Sequence, residues 1–241
     1  MRAVRLAAAL IVLACVLTAG GARAQSGPTA PASGPQGAPP PSGPGASAPA
    51  APAPPAGPAA WELSAAVFTY IEPDQGDYGV YLQPTFTADR GWLHLEGRFN
   101  YEDLDTGSLW FGRNFSVGKA LTLEITPRIG AVFGNTNGVA PGFTGALAWK
   151  TLEFSTETEY VFDAGDSADS FLYTWSEWAW APIGGWRVGF VVQREKVYKT
   201  EMEVQRGFFV GWSSDRVDLT TYVFEPGASK PMVVVGASVR F

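Results

Sequence analysis

From residue 61 to the C-terminus the chain alternates apolar and polar residues with period two, and no stretch carries a helical period. "WLHLEGRFNY" (92–101) sets Leu93, Leu95, Phe99 and Tyr101 against His94, Glu96, Arg98 and Asn100. "LTLEITPRIG" and "TLEFSTETEYVF" repeat the pattern, the second with Leu152, Phe154, Tyr160 and Phe162 against Glu153, Ser155, Glu157 and Glu159. Such a pattern admits strands with two unlike faces, so the fold class is all-β. Twelve strands are predicted, at about 61–71, 78–88, 92–101, 107–117, 120–133, 139–149, 151–163, 170–181, 185–195, 202–213, 216–225 and 230–241. The count falls to ten if two weak segments fail, and "GNTNGVAPGFTG" (134–145) is the softest.

The connections alternate in kind. "EPDQGD", "EDLDTG", "GNTNG", "DAGDSAD", "EKVYKTE" and "EPGASK" are longer and mostly acidic, whereas "ADRG", "VGK", "WKT", "APIGG" and "SSDR" are tight. A soluble barrel or sandwich turns its apolar face inward. Two features favour the inverted arrangement. Charges crowd the polar face at mid-strand, and Trp61, Trp149, Trp186 and Trp212 fall beside the tight turns, as an interfacial belt does. Ten tilted residues span roughly 25 Å, the height of a bilayer's apolar band. A closed, antiparallel, up-and-down transmembrane β-barrel follows. Pro84 and Pro127 fall inside strands and predict bulges, and Arg113 and Arg206, on the apolar face, either snorkel or mark register shifts, with a shift favoured for a charge near mid-strand.

The chain ends "VVVGASVRF", with Phe241, Val239, Ala237, Val235 and Val233 on one face. This resembles the C-terminal strand of bacterial outer-membrane β-barrel proteins, which typically ends in an aromatic residue with apolar residues at alternate upstream positions. The resemblance is at class level and reaches no single family. It implies that these five positions form the signal met by the barrel-assembly machinery, and that outer-membrane lipids surround a protein of the cell outer membrane. A monomer is expected.

Before the barrel lie two segments of different composition. Residues 1–24 carry Arg2 and Arg5, an apolar run from Leu6 to about Leu17, and Ala22 and Ala24 about Arg23, which predicts a secretory signal peptide. Lipidation at Cys15, in "VLAC", is the alternative. Residues 25–60 are rich in Pro, Ala, Gly and Ser and lack charged and aromatic residues, so a disordered periplasmic linker is expected. A periplasmic partner or the cell wall is its candidate contact. Loss of Arg2, Arg5 and Arg23 takes the formal charge from −6 to −9, which argues against nucleic acid.

Sites for chemistry are few. The single histidine, His94, has no serine two residues away and sits at the tight-turn end of its strand, so a hydrogen-bonded interior role is favoured over a hydrolase site. The carboxylates Asp163, Asp166 and Asp169 of "DAGDSAD" lack EF-hand spacing. No enzyme activity, metal or cofactor is expected. The lumen-lining set is Glu96, Arg98, Glu124, Arg128, Glu153, Glu157, Glu159, Glu177 and Arg187. Opposed acidic and basic walls would line a narrow porin-like channel for ions or small polar solutes, with a mild cation preference. The alternatives are the same charges filling the interior of a non-conducting, anchoring barrel and, at greater distance, a membrane lipid hydrolase.

Overall fold

The computed structural model describes residues 60–73, 79–198 and 200–241, so the signal-peptide and linker assignments lie outside the described residues apart from Ala60. The strands are β1 (Glu62–Ile71), β2 (Val80–Arg90), β3 (Leu93–Phe99), β4 in two segments (Thr106–Arg113 and Phe115–Gly118), β5 (Leu121–Gly134), β6 (Gly138–Trp149), β7 (Leu152–Asp163), β8 (Phe171–Trp180), β9 (Trp186–Val197), β10 (Glu203–Ser213), β11 (Val217–Phe224) and β12 (Met232–Arg240). The two segments of β4 keep one register on β5, with Gly112 opposite Arg128 and Phe115 opposite Ile125, and so count as one strand. Each strand pairs antiparallel with its chain neighbours, and β1 pairs with β12 from Ser64↔Arg240 to Ile71↔Val233. The sheet is therefore a closed, twelve-stranded antiparallel barrel, and the soft segment 134–145 holds, with the end of β5 and a turn, the first part of a full strand, β6.

Closure leaves every strand with an outer and an inner face, and the amphipathic pattern is inverted relative to a soluble protein. Phe86, Phe111, Ile129, Phe162, Phe190 and Phe208 stand exposed on the outside, while Glu96, Arg98, Arg128, Glu157, Glu159 and Glu177 are buried inside. Trp61, Trp92, Trp149, Trp180 and Trp186 are exposed at the end of the barrel that carries the short turns.

Four expectations change. Pro127 pairs in unbroken register with Phe143, so no bulge forms; the cost is a break in β4 at Asn114, beside the position facing this proline, which has no N–H to give the ladder. Pro84 pairs with Val67 without a bulge, and the ladder to β3 starts only at Thr85↔Arg98. Arg113 causes no register shift: it stays on the outer face, its guanidinium 5.7 Å from the Trp92 ring and 5.1 Å from the Phe115 ring. Arg206 keeps its register opposite Val192 and is exposed on the outer face, where the loop end of the strand lets it reach water.

Large interior side chains fit because small ones face them on the next strands. The inward row Glu96↔Trp110↔Gly130↔Ala140 lets the Trp110 indole lie flat on the wall. A Cβ at Gly130 would stand 2.6 Å from two carbons of that indole. The row His94↔Gly112↔Arg128↔Gly142↔Glu159 alternates charge with glycine in the same way. Gly130→Val should therefore destabilise the barrel by about 1–3 kcal/mol through overpacking, read as a lower urea midpoint of the detergent-refolded protein.

Candidate functional site: a buried ion cluster in the barrel interior

Alternation carries Glu96 and Arg98 inward from β3, Arg128 from β5, and Glu157 and Glu159 from β7. They meet in the barrel interior. Arg98 donates from Nε and Nη2 to the two oxygens of Glu96 at 2.8 and 3.1 Å, and from Nη1 to Glu159 at 3.0 Å. Its Nη2 also lies 2.9 Å from Glu157. Arg128 donates to Glu96 at 2.7 Å and to Glu157. Both guanidinium groups stack on Trp110, at 4.7 and 4.6 Å, and Arg98 lies 3.9 Å from the Tyr101 ring. The expected acidic and basic walls thus do not face each other across open water. They pair across the interior, and the Arg98 and Glu159 side chains are 0 % exposed.

Two further members are Tyr101, the last residue of the predicted strand 92–101, and Glu102, the first of the connection "EDLDTG". Tyr101, expected on the outer face, is buried and donates its hydroxyl to Glu157 at 2.6 Å. The reason is local: β3 ends at Phe99, and Asn100 takes a left-handed φ of 56°, which breaks the alternation and turns the next residues inward. Glu102 then lies 3.7 Å from Arg98 and accepts from Ser108 at 2.6 Å. Burial lifts the Glu102 carboxyl above its ordinary range, and burial does the same for neighbouring Asp103. Glu102 opens the acidic connection "EDLDTG", which the alternation left outside the strands.

A second set occupies the next part of the wall. Arg187 donates to Glu153 at 2.8 Å and lies 3.8 Å from Glu177, which accepts from Trp175 and Tyr222 at 3.0 and 2.8 Å. Glu124 stays apart: it has the inward parity but is exposed at the short-turn mouth, away from the cluster. His94 lies between Asp89 at 2.8 Å and Glu96 at 3.4 Å, tying the cluster towards that mouth through hydrogen bonds. Aromatic side chains fill much of the remaining cross-section, with Tyr70, Tyr173 and Trp175 each 0 % exposed. In the β7–β8 loop, Asp163 and Asp166 accept from backbone N–H groups of Gly165, Asp166 and Ala168. Among the described residues no group of three or more His, Cys, Asp or Glu is placed to hold a metal ion.

On the C-terminal strand, Val233, Val235, Ala237 and Val239 alternate with buried Val234 and Gly236 and take the outer parity. Phe241 follows them, 66 % exposed, with its N–H donated to Leu63 O at 2.9 Å across the closing seam.

These features define a closed, twelve-stranded antiparallel β-barrel, apolar outside and charged within. No protein-family model matches the chain, and no curated protein matches it in sequence. Among solved structures it is similar to the KdgM porin, with a TM-score of 0.52, 9 % identity, and coverage of 74 % of this chain and 99 % of that one. It is likewise similar to the KdgM porin in complex with disordered oligogalacturonate, at a TM-score of 0.50, 7 % identity, and coverage of 75 % and 99 %. At such identity the likeness establishes the shared barrel fold.

Removing one partner from a buried ion cluster leaves the others uncompensated. Arg98→Ala should lower stability by about 3–5 kcal/mol. Arg98→Lys should recover only part of it, because an ammonium cannot reproduce the paired contact with Glu96. Denaturant midpoints of the refolded barrel measure both.

Proposed function

We propose that the chain is an outer-membrane barrel whose axial path is closed at rest by the Arg98–Arg128–glutamate cluster, and which passes ions or small polar solutes when that cluster rearranges. The observation that carries this reading is a charged interior held inside an apolar exterior. Buried, paired charges in place of a wholly apolar core fit a polar path more naturally than a filler. Glu96, Glu153, Glu157, Glu159 and Glu177 outnumber Arg98, Arg128 and Arg187 in the set, so cations are preferred and a polyanion such as oligogalacturonate is disfavoured. No enzyme activity enters the reading: His94 has both ring nitrogens bonded to carboxylates.

Planar-bilayer recording tests it. Wild type should show small, infrequent, cation-preferring openings. Glu157→Ala, which frees one contact each of Arg98, Arg128 and Tyr101 while leaving Glu96 and Glu159 on the guanidinium groups, should open several-fold more often with weaker cation preference. Folded protein that stays silent in both forms overturns the channel reading. The water-tight packing around Trp175 and Glu159 would then favour a structural barrel, whose Pro-rich segment engages a periplasmic partner or the cell wall.

The outer parity of Val233, Val235, Ala237, Val239 and Phe241 supports an assembly address read from the lipid side, with bilayer lipids as the barrel's surroundings. Deleting Phe241 should reduce the heat-modifiable, folded fraction in the outer membrane several-fold while leaving refolding in detergent nearly unchanged. Equal losses in both settings would instead mark a purely structural role.

A further inference from the structure

The inner wall near the long-loop end holds a group of oxygens that the cluster does not use. On β9 and β10, Gln193 lies directly opposite Gln205, and Glu195 directly opposite Glu203. Cross-strand neighbours of this kind have Cβ atoms about 5 Å apart, and like charges so placed repel. The four side chains line a cavity of about 10 Å³, the size of one water or one ion. Gln193 is 2 % exposed, and its Oε1 has no hydrogen-bond partner. Gln205 Oε1 is buried without a partner too, while its Nε2 donates to Glu203 at 3.1 Å. Asp103, from the β3–β4 loop, acts on Glu195 with a further negative charge. The basic residues nearest in sequence, Arg194, Lys196 and Arg206, are exposed on the opposite, outer face of the same strands. The inner face therefore gathers carboxylate and amide oxygens around a space of ionic size.

We propose that Glu195, Glu203, Gln193 and Gln205 form a site for a hard divalent cation, with Ca²⁺ as the fitting ion. An all-oxygen set with two carboxylates and two amide carbonyls matches Ca²⁺ chemistry, and waters entering past exposed Glu203 complete the shell. Mg²⁺ demands a stricter octahedron and binds more weakly here. The cation relieves the Glu195–Glu203 repulsion and gives the buried Gln193 oxygen a partner. Equilibrium binding does not require conduction, so the site stands whether or not the barrel is a channel.

Isothermal titration of the full chain refolded in detergent micelles with CaCl₂, with MgCl₂ and NaCl in parallel, tests the site. A single Ca²⁺ should bind with Kd on the order of 10⁻⁴–10⁻³ M. Glu203→Gln, at an exposed position, should weaken it at least tenfold, and Gln193→Leu several-fold. Asp166→Asn, in the β7–β8 loop, should leave it unchanged. Folding of each variant is checked by heat-modifiable migration. No binding by wild type up to about 10 mM, meaning a cavity filled by water only, overturns the proposal. So does undiminished binding in folded Glu203→Gln, or binding lost on Asp166→Asn.

Discussion

The structure depends on how two guanidinium groups are satisfied away from water. Arg98 and Arg128 sit among Glu96, Glu102, Glu157 and Glu159 with no more than 2 % of any of these side chains exposed. Desolvating such charges is costly, and the cost is offset only where several contacts of good geometry converge. Here the partners come from β3, the β3–β4 loop, β5 and β7, so the cluster exists only when those strands stand around one closed interior. A flat or open sheet would leave the same residues on one face in water. Closure and ion pairing thus support each other, and the apolar exterior follows because the polar half of every strand is occupied within.

Filling that interior requires room as well as charge. Trp110 lies against Gly130, and Phe209 comes within 2.8 Å of a Cβ placed at Gly189, so aromatic rings flatten on the wall in place of projecting across it. Gly112 and Gly142 flank Arg128 along its row and clear the way for its guanidinium to reach the carboxylates of β7. Small residues opposite large ones give the interior its packing, as they do in other narrow barrels.

Much of the fold was legible in the sequence. The twelve strands, the asymmetry of the connections and the inversion of faces all rest on local alternation, which the pleat enforces residue by residue. The interior parity of Glu96, Arg98, Arg128, Glu153, Glu157, Glu159, Glu177 and Arg187 followed from the same rule. What escaped it were positions where one residue breaks the period. Left-handed Asn100 turned Tyr101 and Glu102 inward, and Glu195, counted with the polar connection "EKVYKTE", lies buried within β9, which runs on to Val197. The prolines misled for the opposite reason: the ladder absorbed a missing N–H without an extra residue, so no bulge was needed.

The sequence by itself determined that this chain makes an inside-out β-barrel, because period two and the sign of each face are properties of neighbouring residues. Only the tertiary structure decided that the charged walls touch, because which arginine meets which glutamate depends on shear, curvature and side-chain reach across strands separated by 61 positions, as for Arg98 and Glu159. Whether a barrel interior is open or closed is settled by those distances, and no local pattern encodes them.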